Sequence, residues 1–253
     1  MLIDTHCHLD AAEFDADRDD VAARARALGV ARIVVPAVGR FNFGSTCRMR
    51  TLYGCDIALG LHPIYVGQHR DEDLPALRKL SEDVRPVAIG EIGLDGFVPG
   101  LDMARQEWLF VEQLKIAQTL DLPVLLHIRR AQDQILKYLR RYRVKGGVAH
   151  AFNGSHQQAD EFIKLGFRLG FGGAMTFERA LRIRELAANL PLDSIVLETD
   201  APDIAPAWAY RQRNTPEYLP HIAEVLGGLR GQSQAAVARA TTANAAATLG
   251  LTL

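Results

Sequence analysis

The chain of 253 residues has little of what marks several large classes of protein. Its three cysteines, Cys7, Cys47 and Cys55, cannot build a disulfide framework, which fits a reducing compartment. No apolar run approaches the ~20 residues that a membrane helix needs. The opening Met1-Leu2-Ile3-Asp4-Thr5-His6 has neither a basic segment nor a long apolar one, so no secretory signal is expected. These absences predict a cytoplasmic protein with no membrane association. Net charge is −1, with 29 Lys and Arg against 30 Asp and Glu, so no global positive field draws in nucleic acid. Any recognition of phosphate must then be local. No linker, low-complexity tract or internal repeat divides the sequence, and no obligate protein partner is implied.

What is present is ordinary core material, 48% hydrophobic and 23% charged, enough to bury a sizeable interior. Eight short apolar runs read as strands: Met1–Thr5, Arg32–Ala37, Asp56–Leu61, Pro86–Glu91, Leu122–His127, Gly146–His150, Phe167–Phe171 and Ser194–Thr199. Most are apolar on both faces, as strands of a buried parallel sheet must be. Segments of helical period lie between them, among them Asp17–Leu28, Asp102–Leu120 and Gln157–Leu165. Gly29, Gly166 and Pro191 stand where helices should stop. Eight alternations of strand and helix predict an α/β fold, a TIM-type (β/α)₈ barrel, as one domain over residues 1–253. Two extra C-terminal helices, Pro216–Leu229 and the Ala-rich Gln232–Leu249, are predicted, the second lying across the outside.

The polar residues that close these apolar runs carry the functional reading. His6 and His8 end the first strand and, with Asp4, share one face by alternation, while Cys7 points away as a packed thiol. Taken alone, His-x-His fits two partly exposed surface histidines better than a metal site. Glu91, His127, His150 and Asp200 close the fourth, fifth, sixth and eighth runs. In a barrel these ends open onto one face, where the active sites of this fold sit. Charge at buried strand ends is costly unless paired or metal-bound. Four imidazoles and two carboxylates are too many for one tetrahedral ion and suit two divalent ions, with Zn, Mn and Mg all admissible. Glu91, on a central strand, is the natural bridge. Asp4 and Glu198 are expected to orient the imidazoles and the ligating carboxylates.

These residues also fall into motifs. Ile3-Asp4-Thr5-His6-Cys7-His8-Leu9-Asp10 resembles the opening motif of the TatD family of metal-dependent deoxyribonucleases. Gly60-Leu61-His62-Pro63, Gly90-Glu91-Ile92-Gly93-Leu94-Asp95, Leu122–Arg129, His150-Ala151-Phe152-Asn153-Gly154 and Leu197-Glu198-Thr199-Asp200-Ala201-Pro202 resemble further motifs of it, in the same order. The YjjV-like branch is the most similar, through Asp200-Ala201-Pro202-Asp203 and the Gly96–Gly100 loop. The resemblance implies a TIM barrel with a two-metal phosphodiesterase-like site. It implies that His6, His8, Glu91 and Asp200 hold one ion and that Glu91, His127 and His150 hold the second.

The reaction expected is hydrolysis of a phosphoester, in DNA or a small nucleotide-like ester. Glu91 and Asp200 are the catalytic carboxylates, and Asp200 accepts the proton of the attacking water. His62 is expected to donate to substrate phosphate, since Pro63 turns the chain out of the strand there. Arg129, two residues past His127, and Arg213 in the loop after strand eight are further phosphate candidates, weighed against solvated loop charges. The run Lys137–Arg143 reads as a solvated helix face. Two alternatives stay open. One is a metal-dependent amidohydrolase or esterase acting on a carboxylic ester or amide, such as an aminoacyl-tRNA ester. The other is a non-catalytic metal-binding scaffold. Many amidohydrolases bridge their ions with a modified Lys where this chain has Glu91, which favours the phosphoester.

Overall fold

A computed structural model describes residues 1–252. Eight strands form one parallel sheet in sequence order: β1 (Leu2–Asp4), β2 (Val30–Pro36), β3 (Asp56–Leu59), β4 (Ala88–Asp95), β5 (Val124–Arg129), β6 (Gly147–Ala149), β7 (Phe167–Phe171) and β8 (Ile195–Leu197). The sheet curls until its edges meet. The Thr5 N–H donates to Leu197 O at 3.1 Å and the Asp200 N–H to His6 O at 2.8 Å, so the barrel is nearly closed. Seven helices follow the first seven strands: α1 (Arg18–Ala27), α2 (Phe43–Tyr53), α3 (Asp73–Val84), α4 (Met103–Leu120), α5 (Gln132–Arg141), α6 (His156–Lys164) and α7 (Leu181–Asn189). Then come α8 (Leu219–Arg230) and α9 (Gln234–Leu249). No described helix is long and apolar enough to cross a membrane.

Strand boundaries differ from the sequence expectation by a few residues, and three of them bear on the site. β1 stops at Asp4, and His6 and His8 lie in the segment just beyond it. β4 does not end at Glu91 but runs on to Asp95. Its register with β5 shifts between Ile89 and Ile92, then resumes with Gly93 opposite His127 and Asp95 opposite Arg129. Glu91 sits at the irregularity, where a polar group interrupts the apolar pattern while pairing continues. Gly93, at φ 150°, is needed there, since a Cβ would collide with the His127 carbonyl. β5 is likewise shifted and includes Arg129.

The Ala-rich last helix is not on the outside. Ile3, Val34, Ala58, Ala88, Leu125, Val148 and Val196 form a buried layer with Ala245, Ala246 and Leu249 of α9. Leu125, Val148 and Val196 each lie two residues before His127, His150 and Glu198, so this layer is the barrel interior beneath the site. α9 therefore plugs the N-terminal end of the barrel, and its alanines let it approach the strand ends. Thr242 Oγ1 donates to Met1 O at 3.1 Å, and Asn244 Nδ2 donates to Leu192 O and Ile195 O at 2.8 Å each. The opposite end is left open.

α4 fixes two strand ends at that open mouth. Gln106 and Gln113, both buried and two turns apart, each pair with backbone in both directions. Gln113 Oε1 accepts from the Leu61 N–H at 2.7 Å and its Nε2 donates to Leu61 O at 3.2 Å. Gln106 does the same for Asp95, at 2.7 and 3.2 Å.

Candidate metal centre

The six residues expected as ligands converge on the mouth. Glu91 is buried at the centre, and its two carboxylate oxygens face different neighbours. Oε2 lies 3.0 Å from His6 Nε2 and 3.6 Å from His8 Nε2. Oε1 lies 3.0 Å from His127 Nδ1 and 3.2 Å from His62 Nε2. Asp200 Oδ1 is 3.7 Å from both His6 and His8 Nε2 and 3.5 Å from His150 Nε2. The rings of His6 and His150 stack at 3.8 Å. Three groups bring ligating atoms close enough to share a cation: His6 with His8 and Asp200, His6 with Glu91 and His150, and His62 with Glu91 and His127. His127 and His150 are therefore not gathered into one triplet. His150 sits over His6, and His62 stands beside His127 instead.

The tautomer of His62 decides what it can do there. The Ile64 N–H donates to His62 Nδ1 at 3.0 Å, so a neutral ring carries its proton on Nε2. Burial keeps the ring neutral, pushing its pKa down to about 4 against the pull of Glu91. His62 Nε2–H is thus a donor aimed into the site, with no lone pair to offer a metal. His127 has the opposite arrangement. Its Nε2 lies 2.9 Å from Asp95 Oδ2, which fixes that proton and leaves Nδ1 free toward Glu91.

Surrounding residues set the other ligands. Glu198 Oε1 is 2.9 Å from His150 Nδ1, off the line of a hydrogen bond, and accepts from the Ala151 N–H at 2.6 Å. It has room because residue 170 is glycine, where a Cβ would collide with Glu198 Oε2. Asp4, expected to orient the imidazoles and the ligating carboxylates, makes its bonds to backbone and to Thr199. Its carboxylate accepts from Thr199 Oγ1 at 2.6 Å and from the N–H groups of Thr199 at 3.0 Å and His6 at 3.3 Å. It thereby joins the end of β1 to the end of β8 and aligns the segments carrying His6 and Asp200. Burial pushes Asp4 up to about 7, opposed by the hydrogen bonds from Thr199.

The electrostatics fit divalent cations. Burial works against ionising Glu91, but His62, His6 and His127 outweigh it and hold the carboxyl well below its ordinary range. Asp200 is lowered in the same way by His150, His6 and His8. His8 is raised to about 9, with Glu91 and Asp200 overcoming its burial. Imidazole nitrogens meet at 3.3 Å between His6 and His8 and at 3.1 Å between His62 and His127. These nitrogens lie close enough to the buried carboxylates to share a cation with them, and an imidazole–carboxylate set is one that Zn or Mn accepts.

Of the substrate candidates, His62 is inside the site and Arg129 is at its rim. The Arg129 guanidinium lies 3.8 Å over the Phe97 ring and Arg130 lies 4.6 Å from it. Arg213 is committed elsewhere. It grips Asp17 through both carboxylate oxygens at 2.7 and 2.6 Å and donates to Glu13 O at 2.6 Å, so it anchors the loop instead of offering a free donor. The Lys137–Arg143 run lies on and just past α5 away from the mouth, with Arg140 bridging Glu161 at 2.8 Å.

Two structural residues of the site escaped the sequence reading. Asp95 stands out only as the last residue of a motif, although Glu91, Gly93 and Asp95 alternate on one face, a period-two signal that points it at the same centre. Asn214, fully buried, donates through Nδ2 to Thr199 O and Asp203 O at 2.7 Å each and to Ile204 O at 3.3 Å. Nothing local in the sequence marks that latch, because its partners are backbone carbonyls.

The chain is similar over its whole length to known proteins with this architecture. The family described as TatD related DNase matches residues 3–250. The Escherichia coli (strain K12) protein named uncharacterized metal-dependent hydrolase YjjV is 42% identical over 247 residues, covering 96% of this chain and 95% of that one. A crystal structure of the Escherichia coli YjjV protein, a TatD homolog, superimposes with a TM-score of 0.95 at 40% identity, covering 99% and 98% of the two chains. The 3'-5' ssDNA/RNA exonuclease TatD of Cronobacter sakazakii is 37% identical, covering 97% of this chain and 96% of that one. With a matching family over nearly every residue and the same barrel, the chain belongs to the TatD-related DNase family of metal-dependent hydrolases.

Proposed function

We propose that the protein is a two-metal phosphodiesterase acting on DNA or a small nucleotide-like phosphoester. The observation that carries this reading is Glu91, whose Oε2 faces His6 and His8 while its Oε1 faces His127. One carboxylate with a separate imidazole set on each oxygen is the arrangement a bridging ligand requires. In this reading His6, His8, Glu91 and Asp200 hold one ion. Glu91 and His127 Nδ1 hold the second, while His150 is gathered with His6 and Glu91 rather than with His127. Two divalent ions there would lower the pKa of water toward neutrality and offset charge on the attacked phosphorus.

The chain's own groups then have distinct tasks. Asp200, held ionised by His150, His6 and His8 despite its burial, takes up the proton that the attacking water releases. His62 Nε2–H donates to a phosphate oxygen of the bound substrate, its orientation fixed by the Ile64 N–H. Arg129 meets the substrate phosphate from the rim. Asp95 and Glu198 hold His127 and His150 in place. The similarity to a 3'-5' ssDNA/RNA exonuclease supports a nucleic-acid substrate.

The test is a panel of single-stranded DNA, RNA, a model phosphodiester and an aminoacyl-tRNA, with the protein loaded in turn with Zn, Mn and Mg. Bound metal is counted in parallel by plasma mass spectrometry. Turnover of phosphodiesters with about two ions per chain is expected. Turnover of the aminoacyl ester alone would replace this reading with the esterase one.

A further inference from the structure

We propose that the cleft between the loops after β7 and β8 is a nucleobase subsite, which seats the base of the nucleotide next to the bond being cut. This rests on the phosphodiester reading above and extends it to substrate selection.

The cleft has a volume of about 610 Å³, within the range of small-ligand sites. Its walls include Phe177, Ile183, Ile204 and Tyr210, with Arg211 and Asp203 as its charged groups. A narrow hollow of about 20 Å³ adjoins it, sharing Ala174, Ile183 and Ile204 with the cleft and reaching Glu198 and Asp200 at its other end. The cleft thus lies beside the metal centre, with Asp203 of its lining bonded through its N–H to Asp200 O at 2.8 Å. A nucleotide whose phosphate lies at Asp200 needs only its own sugar to carry its base into the cleft.

The lining suits a flat, amphipathic group. Phe177 and Tyr210 meet edge to face at 5.9 Å, and the Arg211 guanidinium lies 5.3 Å from the Tyr210 ring. Aromatic rings and a guanidinium are the groups on which bases stack. Arg211 has no hydrogen-bonded acceptor among the described residues, in contrast to Arg213, which is clamped to Asp17. Asp203, on the opposite side of the charge balance, can accept from an exocyclic amine and discourages a second phosphate.

The wall is also tied down by hydrogen bonds. Ile204 and Arg211 adopt positive φ, 44° and 63°, an unfavourable region for non-glycine residues and most of all for a β-branched one. Asn214 keeps the loop in that shape by donating to the carbonyls of Asp203 and Ile204. The result presents the Ile204 side chain, 40% exposed, and the Tyr210 ring, 61% exposed, to the cleft rather than to the core.

The test uses the metal-loaded full chain and Tyr210→Ala, with Phe177→Ala as a second variant. Tyr210 is exposed, and superimposable thermal melts verify that folding is kept. Calorimetric titration compares thymidine 5′-monophosphate with 2-deoxyribose 5-phosphate. The base should tighten binding by roughly five- to a hundredfold, and that difference should vanish in Tyr210→Ala. Hydrolysis of the dinucleotide thymidylyl-thymidine is compared with its two singly abasic analogues. One analogue should be cut more slowly by a similar factor in wild type, and not in the variant. Base-dependent binding lost in Tyr210→Ala without any dinucleotide turnover would keep the subsite and remove the phosphodiesterase reading. Dinucleotide turnover indifferent to both bases, or discrimination that survives both substitutions, would overturn the subsite and leave that reading standing.

Discussion

Asp95 Oδ2 lies 2.9 Å from His127 Nε2, on the opposite side of the ring from Glu91 Oε1, which is 3.0 Å from Nδ1. The imidazole is held between two carboxylates, one that fixes its proton and one that faces the centre. Burial opposes ionising Asp95, but the bond to His127 and the N–H groups of Val98 and Phe97 prevail and bring its pKa down to about 2. Asp95→Asn keeps the acceptor for Phe97 and Val98 but weakens the hold on His127. Metal affinity should fall about 10–100-fold at one of two sites. A chelator-competition titration reads this directly, and two unchanged dissociation constants would remove Asp95 from the centre.

Glu91→Gln and Asp200→Asn preserve shape and remove charge. If these carboxylates hold the ions as proposed, several kcal/mol of transition-state stabilisation depend on them, and turnover should drop by roughly two orders of magnitude or more. Thermal stability should survive. Metal counting on Glu91→Gln should give fewer ions per chain than wild type, and a full complement with normal turnover would show that Glu91 bridges nothing.

Arg129 and Arg213 should separate cleanly. A charge-assisted bond to phosphate is worth about 1.5–3 kcal/mol, so Arg129→Ala should cost roughly ten- to a hundredfold in kcat/KM on a phosphodiester. A neutral carboxylic ester should be unaffected. Arg213→Ala releases Asp17 and the Glu13 carbonyl, so any effect should be equal on both substrates. A phosphate-selective loss in Arg213→Ala would mean that its clamp opens during catalysis.

Gly170→Ala places a methyl group against the Glu198 carboxylate. Overpacking of this kind costs about 1–3 kcal/mol. Because Glu198 is the neighbour of His150 Nδ1, metal affinity should fall together with the melting temperature. A variant that melts lower yet binds metal normally would show that Glu198 does not govern His150.

Asn214→Ala deletes the latch on the loop after β8. Three carbonyls lose a donor, and about 2–4 kcal/mol of stability should go with them. Chemical denaturation measures this, and a change below about 0.5 kcal/mol, the usual range for surface positions, would show that the loop is held by other contacts.

Much of this molecule is written locally. Eight apolar runs with helical segments between them call for a parallel sheet covered by helices, and strand alternation points His127, His150 and Asp200 toward one mouth wherever the strands exactly end or begin. The six expected ligands therefore meet, although β4 overshoots Glu91 and β1 stops short of His6. Local pattern could not say which imidazole keeps a proton, because that depends on the Ile64 N–H for His62 and on Asp95 for His127. It could not separate Arg129 from Arg213, which look alike as loop arginines until Asp17, 196 residues away, claims one of them. Nor could it seat α9, since an Ala-rich helix has no strongly apolar face to direct it and only the open end of the barrel supplies a partner. Backbone periodicity fixes which residues face inward; hydrogen-bond partners and packing across the closed barrel fix what those residues can do.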